Sequence, residues 1–162
     1  MRLVVADTGP LHYLVLIGHA ELLPELFQRV TVPDAVWREL RHPEAPAVVR
    51  RFAARPPSWI EVRPAPRTDG DPKWRVLDPG ERAALALAKA LAADLILMDD
   101  RAAVRVAREQ GFAVTGTLGI LDLAAQRGLV QLHIAIEALK ATNFRYRPEI
   151  MDALLARHQA SR

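Results

Sequence analysis

Short apolar runs alternating with helical patterns predict an α/β fold: a central parallel sheet of about five strands with helices on both faces. Three observations carry this expectation. Leu3-Val4-Val5-Ala6 and Leu95-Ile96-Leu97-Met98 are apolar at consecutive positions, as strands buried on both faces are. Segments with helical start and stop signals separate the runs. Acidic residues directly follow the first and fourth runs, at the strand ends beyond which open parallel sheets bind ligands.

The first strand, residues 3–6, ends at Asp7-Thr8-Gly9-Pro10, a turn into a helix with Pro10 at its first position. Helical segments follow near 11–17 and 20–28. Val30-Thr31-Val32 reads as the second strand, and Pro33 opens a helix from Asp34 to Arg41 that His42-Pro43 ends. Residues 44–54 read as helix and Trp59-Ile60-Glu61-Val62 as the third strand. Residues 63–77, with Pro64, Pro66, Gly70 and Pro72, form a loop long for a compact domain, a type often functional. Residues 79–93 make a helix apolar nearly all round and hence buried, its alanines allowing close approach to a neighbour. After the fourth strand, residues 101–110 form a helix stopped by Gly111, and Ala113-Val114 gives a weak fifth strand. A helix over 118–127 ends at Gly128 as its cap, and helices near 132–140 and 148–159 complete the chain. No internal repeat or low-complexity segment interrupts the pattern. The expectation is therefore one domain over 1–162, with a core of about 3–128 and C-terminal helices of about 132–160.

With 162 residues, 51% hydrophobic and 25% charged, the chain can bury one sizeable core. The absence of cysteine excludes disulfides, thiolate zinc sites and cysteine nucleophiles. The apolar run at the N-terminus is too short for a signal peptide, and no stretch reaches the ~18–20 apolar residues that span a bilayer. The expected location is the cytoplasm, without membrane. The net charge of +3 is carried almost wholly by arginine, since Lys73, Lys89 and Lys140 are the only lysines. Arginine suits phosphate because its planar fork donates two hydrogen bonds at once.

The acidic residues then bring chemistry to the sheet edge. Asp7 follows the first strand, and Asp99 and Asp100 follow the fourth. Glu39 lies near the apolar edge of the helix after the second strand, and Glu81 in the first turn of the buried helix. If these positions converge, their repulsion calls for a cation among them, and hard carboxylate oxygens suit Mg²⁺ or Mn²⁺. Such ions activate water and stabilise charge on a phosphodiester during in-line attack. Each residue also has a structural reading. Asp7 is placed as a helix cap, Glu39 as a solvated helix residue, Asp78-Pro79-Gly80-Glu81 as a capping box, and Asp100 as an N-cap. If Asp100 caps, Asp99 is the freer ligand, and the register between them stays open.

In these segments the chain resembles the PIN-domain family. Val5-Ala6-Asp7-Thr8-Gly9-Pro10 is similar to its opening motif, and Val32-Pro33-Asp34-Ala35-Val36-Trp37-Arg38-Glu39-Leu40 to its second. Gly80-Glu81-Arg82-Ala83-Ala84 and Leu97-Met98-Asp99-Asp100-Arg101 resemble the third and fourth. Thr115-Gly116-Thr117-Leu118-Gly119-Ile120-Leu121 resembles a further segment of one bacterial and archaeal branch, similar to VapC-type toxins. The resemblance runs over roughly residues 3–160. It implies a three-layer PIN-like fold and a Mg²⁺- or Mn²⁺-dependent nuclease acting on RNA. Asp7, Glu39, Glu81 and Asp99 would then be catalytic and hold the metal, with Asp100 as the alternative ligand. Glu81 stands where many PIN domains have aspartate. Thr8 and Thr117 would orient a carboxylate or a metal-bound water, or serve as turn and cap residues. The resemblance also implies a small antitoxin protein as partner, and a homodimer.

Arg38, Arg82, Arg101 and Arg105 adjoin the acidic motifs as candidates for RNA phosphate contact, or as partners of nearby acids. Phe144-Arg145-Tyr146-Arg147 is either a base-stacking segment or a helix junction. Trp37, Trp59 and Trp74 read as core or loop anchors. Rival chemistries lack their motifs. The only serines, Ser58 and Ser161, sit in no nucleophile elbow, no GxxxxGK or GxGxxG loop is present, and the five histidines show no paired metal spacing. Two rival functions stay open, a non-catalytic PIN-like module binding RNA or protein and a structure-specific DNA nuclease. Four acidic positions argue against the first, and small size against the second.

Overall fold

The computed structural model describes residues 2–68 and 70–160. Met1, Asp69 of the predicted loop, Ser161 and Arg162 fall outside them, so the serine reading at Ser161 is left at the sequence level. Two compact units are present, one reaching to Thr117 and one from Leu118 onward.

The first unit holds a five-stranded, all-parallel sheet in the order β3-β2-β1-β4-β5. Its strands are β1 (Val4–Ala6), β2 (Val30–Pro33), β3 (Ile60–Arg63), β4 (Leu95–Leu97) and β5 (Val114–Thr115). Around it lie α1 (Thr8–Leu16), α2 (Leu22–Phe27), α3 (Asp34–Leu40), α4 (Ala47–Ala54), α5 (Pro79–Leu91) and α6 (Arg101–Glu109). The three central strands are buried at every residue, whereas β3 and β5 at the edges are partly open. Consecutive side chains of a strand point to opposite faces, so continuous burial means both faces of the central strands are covered. One face is legible in its packing partners. Val5, Ile96 and Met98 belong to a buried cluster with Ala84, Leu85 and Ala88 of α5 and Ala103, Val106 and Ala107 of α6.

Several elements differ from the expectation, each for a local reason. Helix α1 starts at Thr8, which makes Pro10 its third residue instead of its first. The first turn of a helix has no intrahelical acceptors for its amides, so proline costs no hydrogen bond there. Pro33 ends β2 and caps α3 from outside. Strands β3 and β5 are shifted one residue later than expected, to Arg63 and Thr115, following the ladders Pro33↔Arg63 and Leu97↔Thr115. The segment 63–77 is not loop throughout. Pro72–Val76 forms a 3₁₀ turn opened by Asp71, whose side chain accepts from the Lys73 amide. That turn delivers Trp74 and Leu77 into the buried cluster. Trp37 and Trp59 are buried too, each in ring contact with Phe52.

The second unit contains α7 (Thr117–Gln126) from its second residue on, α8 (Leu132–Lys140) and α9 (Pro148–Ala160). Gly128, at φ +73°, ends α7 as expected, with the Leu129 amide returning to the Ala124 carbonyl at 2.9 Å. Ile120, Leu121, Ile136, Leu139 and Met151 are among its buried side chains, and His158 Nε2 meets Asp122 Oδ1 at 2.7 Å. Among the described residues no helix is long and apolar enough to cross a membrane.

Candidate functional site

The strand order reverses direction between β1 and β4, the only adjacent pair whose connection is not sequential on one side. Parallel sheets of this kind present a crevice beyond the carboxyl ends of the strands at such a switch point. Asp7 and Asp99 stand on its two sides. The register pairs Ala6 with Leu97, and the Asp7 amide donates to the Leu97 carbonyl at 2.8 Å, so both aspartates follow the carboxyl ends of neighbouring strands, Asp7 by one residue and Asp99 by two.

Asp7 is 7% exposed. It occupies the N-cap position of α1, yet its side chain closes no capping hydrogen bond. Its structural reading is therefore weaker than position alone implied. Burial pushes its carboxyl up to about 8, and Glu81, Asp78 and Glu39 add repulsion, while the Thr8 amide offsets part of the rise. Glu81, also 7% exposed, is held by a complete capping box. Its amide donates to Asp78 Oδ1 at 2.8 Å, and its Oε1 accepts from the Asp78 amide at 2.9 Å. Burial pushes Glu81 up to about 7, with repulsion from Asp78, Asp100 and Glu39 added and the Asp78 amide opposing. Cap and cluster member are thus one residue.

Glu39 is exposed on α3, but its carboxylate is fixed by Thr8, whose Oγ1 donates to Glu39 Oε2 at 2.6 Å. Asp99 is held more fully: the Thr117 amide reaches Oδ1 and the Thr117 hydroxyl Oδ2, each at 2.7 Å. Burial raises the Asp99 pKa, and these two donors act against the rise. Asp100 caps α6 by accepting from the Ala103 amide at 3.0 Å. Neighbouring residues thus have distinct environments: Asp99 is clamped by Thr117, whereas Asp100 caps α6 and is the one whose charge repels Glu81.

Three glycines, not singled out in the sequence, make room for these carboxylates. A methyl group on Gly9 would lie 2.9 Å from Asp99 Oδ2, and one on Gly116 2.7 Å from Asp99 Oδ1 and 3.3 Å from the Met98 carbonyl oxygen. One on Gly80 would lie 2.6 Å from Glu39 Oε1. Asp99 therefore sits in a slot with a glycine on either side. The Gly116→Ala substitution is expected to displace Asp99 and destabilise the protein by about 1–3 kcal/mol, the usual cost of overpacking. A urea melt compared with Gly111→Ala, which meets no atom but must adopt φ +91°, checks whether contact or backbone strain dominates.

Arg38, Arg82, Arg101 and Arg105 are exposed. Arg38 pairs with Asp34 at 3.4 Å, and Arg82 Nε donates to the Leu77 carbonyl at 2.9 Å. As placed, no three Asp, Glu or His side chains among the described residues surround a common point closely enough to hold an ion. The carboxylates lean instead on the threonine and amide donors just named.

A family model described as a PIN domain, DUF3368, matches residues 3–160. The chain belongs to this PIN-domain family. No curated protein matches it. PIN domains are generally nucleases that act on nucleic acids and typically use divalent metal ions. The three-layer α/β architecture, with its five-stranded parallel sheet, is that of the family.

Proposed function

We propose that this PIN domain is a Mg²⁺- or Mn²⁺-dependent endoribonuclease, with residues 1–162 acting as one domain. The observation that carries the reading is the pair Asp7 and Asp99 across the switch point, joined by the electrostatic coupling of Asp7 to Glu81 and Glu39. The donor set fits a hard divalent cation. It offers carboxylate oxygens only, and two of them are desolvated enough that bare charge is disfavoured.

In this reading Asp7, Glu39, Glu81 and Asp99 hold the metal. When bound, it supplies an activated water and charge stabilisation for phosphodiester hydrolysis. The chain's own residues set the stage. Thr117 fixes Asp99, Thr8 fixes Glu39, and the Asp78 capping box fixes Glu81 at the rim. Glu39 and Glu81 are borne by helices, α3 and α5. Arg38, Arg82, Arg101 and Arg105 stand ready for RNA phosphates.

Purified protein is expected to cleave single-stranded RNA with Mg²⁺ or Mn²⁺ and to stop with chelator. Cleavage undiminished by chelator would refute the metal role. Metal binding at pH 7 is also expected to release protons, because a cation favours the charged forms of Asp7 and Glu81. Calorimetry in buffers of different ionisation enthalpy reads that release without relying on activity.

The similarity to VapC-type sequences supports a finer reading, a cytoplasmic toxin of a type II pair, held inactive by a small antitoxin and acting as a homodimer. Expression of this chain should arrest growth, and co-expression of a short reading frame beside its gene should relieve the arrest. Growth unaffected by the active nuclease would leave the nuclease and remove the toxin.

A further inference from the structure

The 3₁₀ turn that anchors Trp74 leaves one polar atom without a partner. Trp74 is 5% exposed, and its indole Nε1–H meets no acceptor, the only buried side-chain nitrogen or oxygen so placed among the described residues. Buried donors are satisfied almost without exception, because an acceptor has to replace the water that burial removes. The same ring helps line a cavity of ≈ 320 Å³ between the segment after β3 and the C-terminal half of α5. Trp74 and Ala86 are its buried floor, and the other lining residues are exposed around its mouth. Its volume lies at the lower end of the range for small-molecule sites. The cavity stands apart from the acidic rim: Lys89, which lines it, follows Glu81 by eight residues on α5, about 12 Å along the helix axis.

The polar groups of this cavity are one-sided. Arg67, Lys89 and the Thr68 hydroxyl line it, and all of them donate. Among the described residues, neither Arg67 nor Lys89 has a carboxylate within ion-pair distance. Asp71, the acid in the lining, already accepts at Oδ1 from the Lys73 amide. Pro66, Ala86 and Ala90 supply an apolar wall beside these donors. Donors next to an apolar wall suit a ligand with an anionic oxygen at one end and an apolar body behind it.

We propose that this cavity binds a small organic anion, a carboxylate or phosphate monoester with an apolar body, which Lys89 and Arg67 hold and which brings the acceptor that Trp74 lacks. The site is independent of the nuclease reading and holds whether or not the acidic residues cleave RNA.

The test is two-dimensional NMR of the isotope-labelled full chain, in chelator and without RNA, titrated with phenyl phosphate, benzoate, benzyl alcohol and inorganic phosphate. The Trp74 indole resonance, identified by its loss in Trp74→Phe, is expected to move saturably with one or both organic anions, while those of Trp37 and Trp59 stay in place. Which anion moves it distinguishes a phosphate ligand from a carboxylate ligand. Benzyl alcohol, with the same ring and no charge, should leave it unmoved. Lys89→Gln should weaken binding by ~10-fold or more, the worth of one charge-assisted hydrogen bond. Lys89 is the cation to change because Arg67 also borders the cleft beside Arg38 and Arg82. Ala90→Leu keeps every donor but fills the mouth, and should abolish binding. Both positions are exposed on α5, and thermal melts check that the variants fold. No saturable movement with either organic anion would overturn the site, as would equal binding of benzyl alcohol or undiminished binding in both variants. Inorganic phosphate acting as strongly as phenyl phosphate would mean an adventitious ion only, and would overturn the organic ligand.

Discussion

The Asp7→Asn protein is expected to lose metal-dependent RNA cleavage by a factor of ~1,000 or more while becoming more stable than the wild type without metal. Both effects follow from one burial. Asp7 stands at 7% exposure with no capping bond and three acidic neighbours, and its folded pKa is about 8 against 3.8 when unperturbed. A carboxylate raised in the folded state gives stability that is complete below about 3.8 and lost as pH climbs through about 8. Asparagine has the same shape and no charge, so it escapes that loss. The difference in stability, variant minus wild type, should therefore grow between pH 4 and pH 8 and reach on the order of 3 kcal/mol, or roughly 5–10 °C in Tm. Glu81, raised to about 7 in the folded state, contributes a pH dependence of the same sign in both proteins, and its repulsion with Asp7, present only in the wild type, adds to the difference. Mg²⁺ or Mn²⁺ should reverse the order by stabilising the wild type alone. An active variant would remove Asp7 from the chemistry. A wild type that melts no lower than the variant at pH 8 would contradict its desolvation.

The coupling of stability to pH also clarifies which parts of this site the sequence exposes. Asp7 and Asp99 were legible because a strand's end is legible: once Val4–Ala6 and Leu95–Leu97 are strands, Asp7, one residue on, and Asp99, two residues on, lie at the sheet's carboxyl edge. The Asp78–Glu81 box and the Asp100 cap were legible because both are local, made within three residues. What could not be read depends on approach between distant segments. The contact of Gly116 with Asp99 spans 17 residues and that of Gly80 with Glu39 spans 41; Thr8 was expected to orient a carboxylate, but that its partner is Glu39, 31 residues on, was not. Nothing local distinguishes these glycines from those of turns. Gly80 and Gly116 fall inside motifs that carry the family resemblance, but the resemblance gave them no role.

The same distinction explains the errors of boundary. Strands β3 and β5 lie at the sheet's edges, where burial is incomplete and the apolar pattern fades before the ladder does. In the segment 63–77, prolines signal irregular backbone correctly, yet they also fit a 3₁₀ turn, and Trp74 and Leu77 anchor that turn in the core. A buried tryptophan between prolines was the available sign that the segment is ordered at its end.

The adjacent pair Asp99-Asp100 provides the sharpest test of how position becomes role. Asp99→Asn is expected to lower cleavage by ~100-fold or more. Thr117 presents two donors, its amide and its hydroxyl, to the two carboxylate oxygens at 2.7 Å each. An asparagine amide group must turn its own donor toward one of them, so the substitution removes a charge and disrupts the clamp together. Asp100→Asn should cost less than ~3-fold. Asparagine caps a helix as well as aspartate does, so the bond from the Ala103 amide survives. The substitution also removes one repulsion from Glu81. Asp100→Ala separates the cap from the charge, and should lower stability by about 0.5–2 kcal/mol in a urea melt. Isolating the clamp requires Thr117→Val, which keeps the amide donor and deletes the hydroxyl, and it should reduce activity by a smaller factor than Asp99→Asn. If Asp100→Asn proves the more damaging of the pair, the metal ligand lies one residue further along the chain, and the Thr117 clamp on Asp99 is structural.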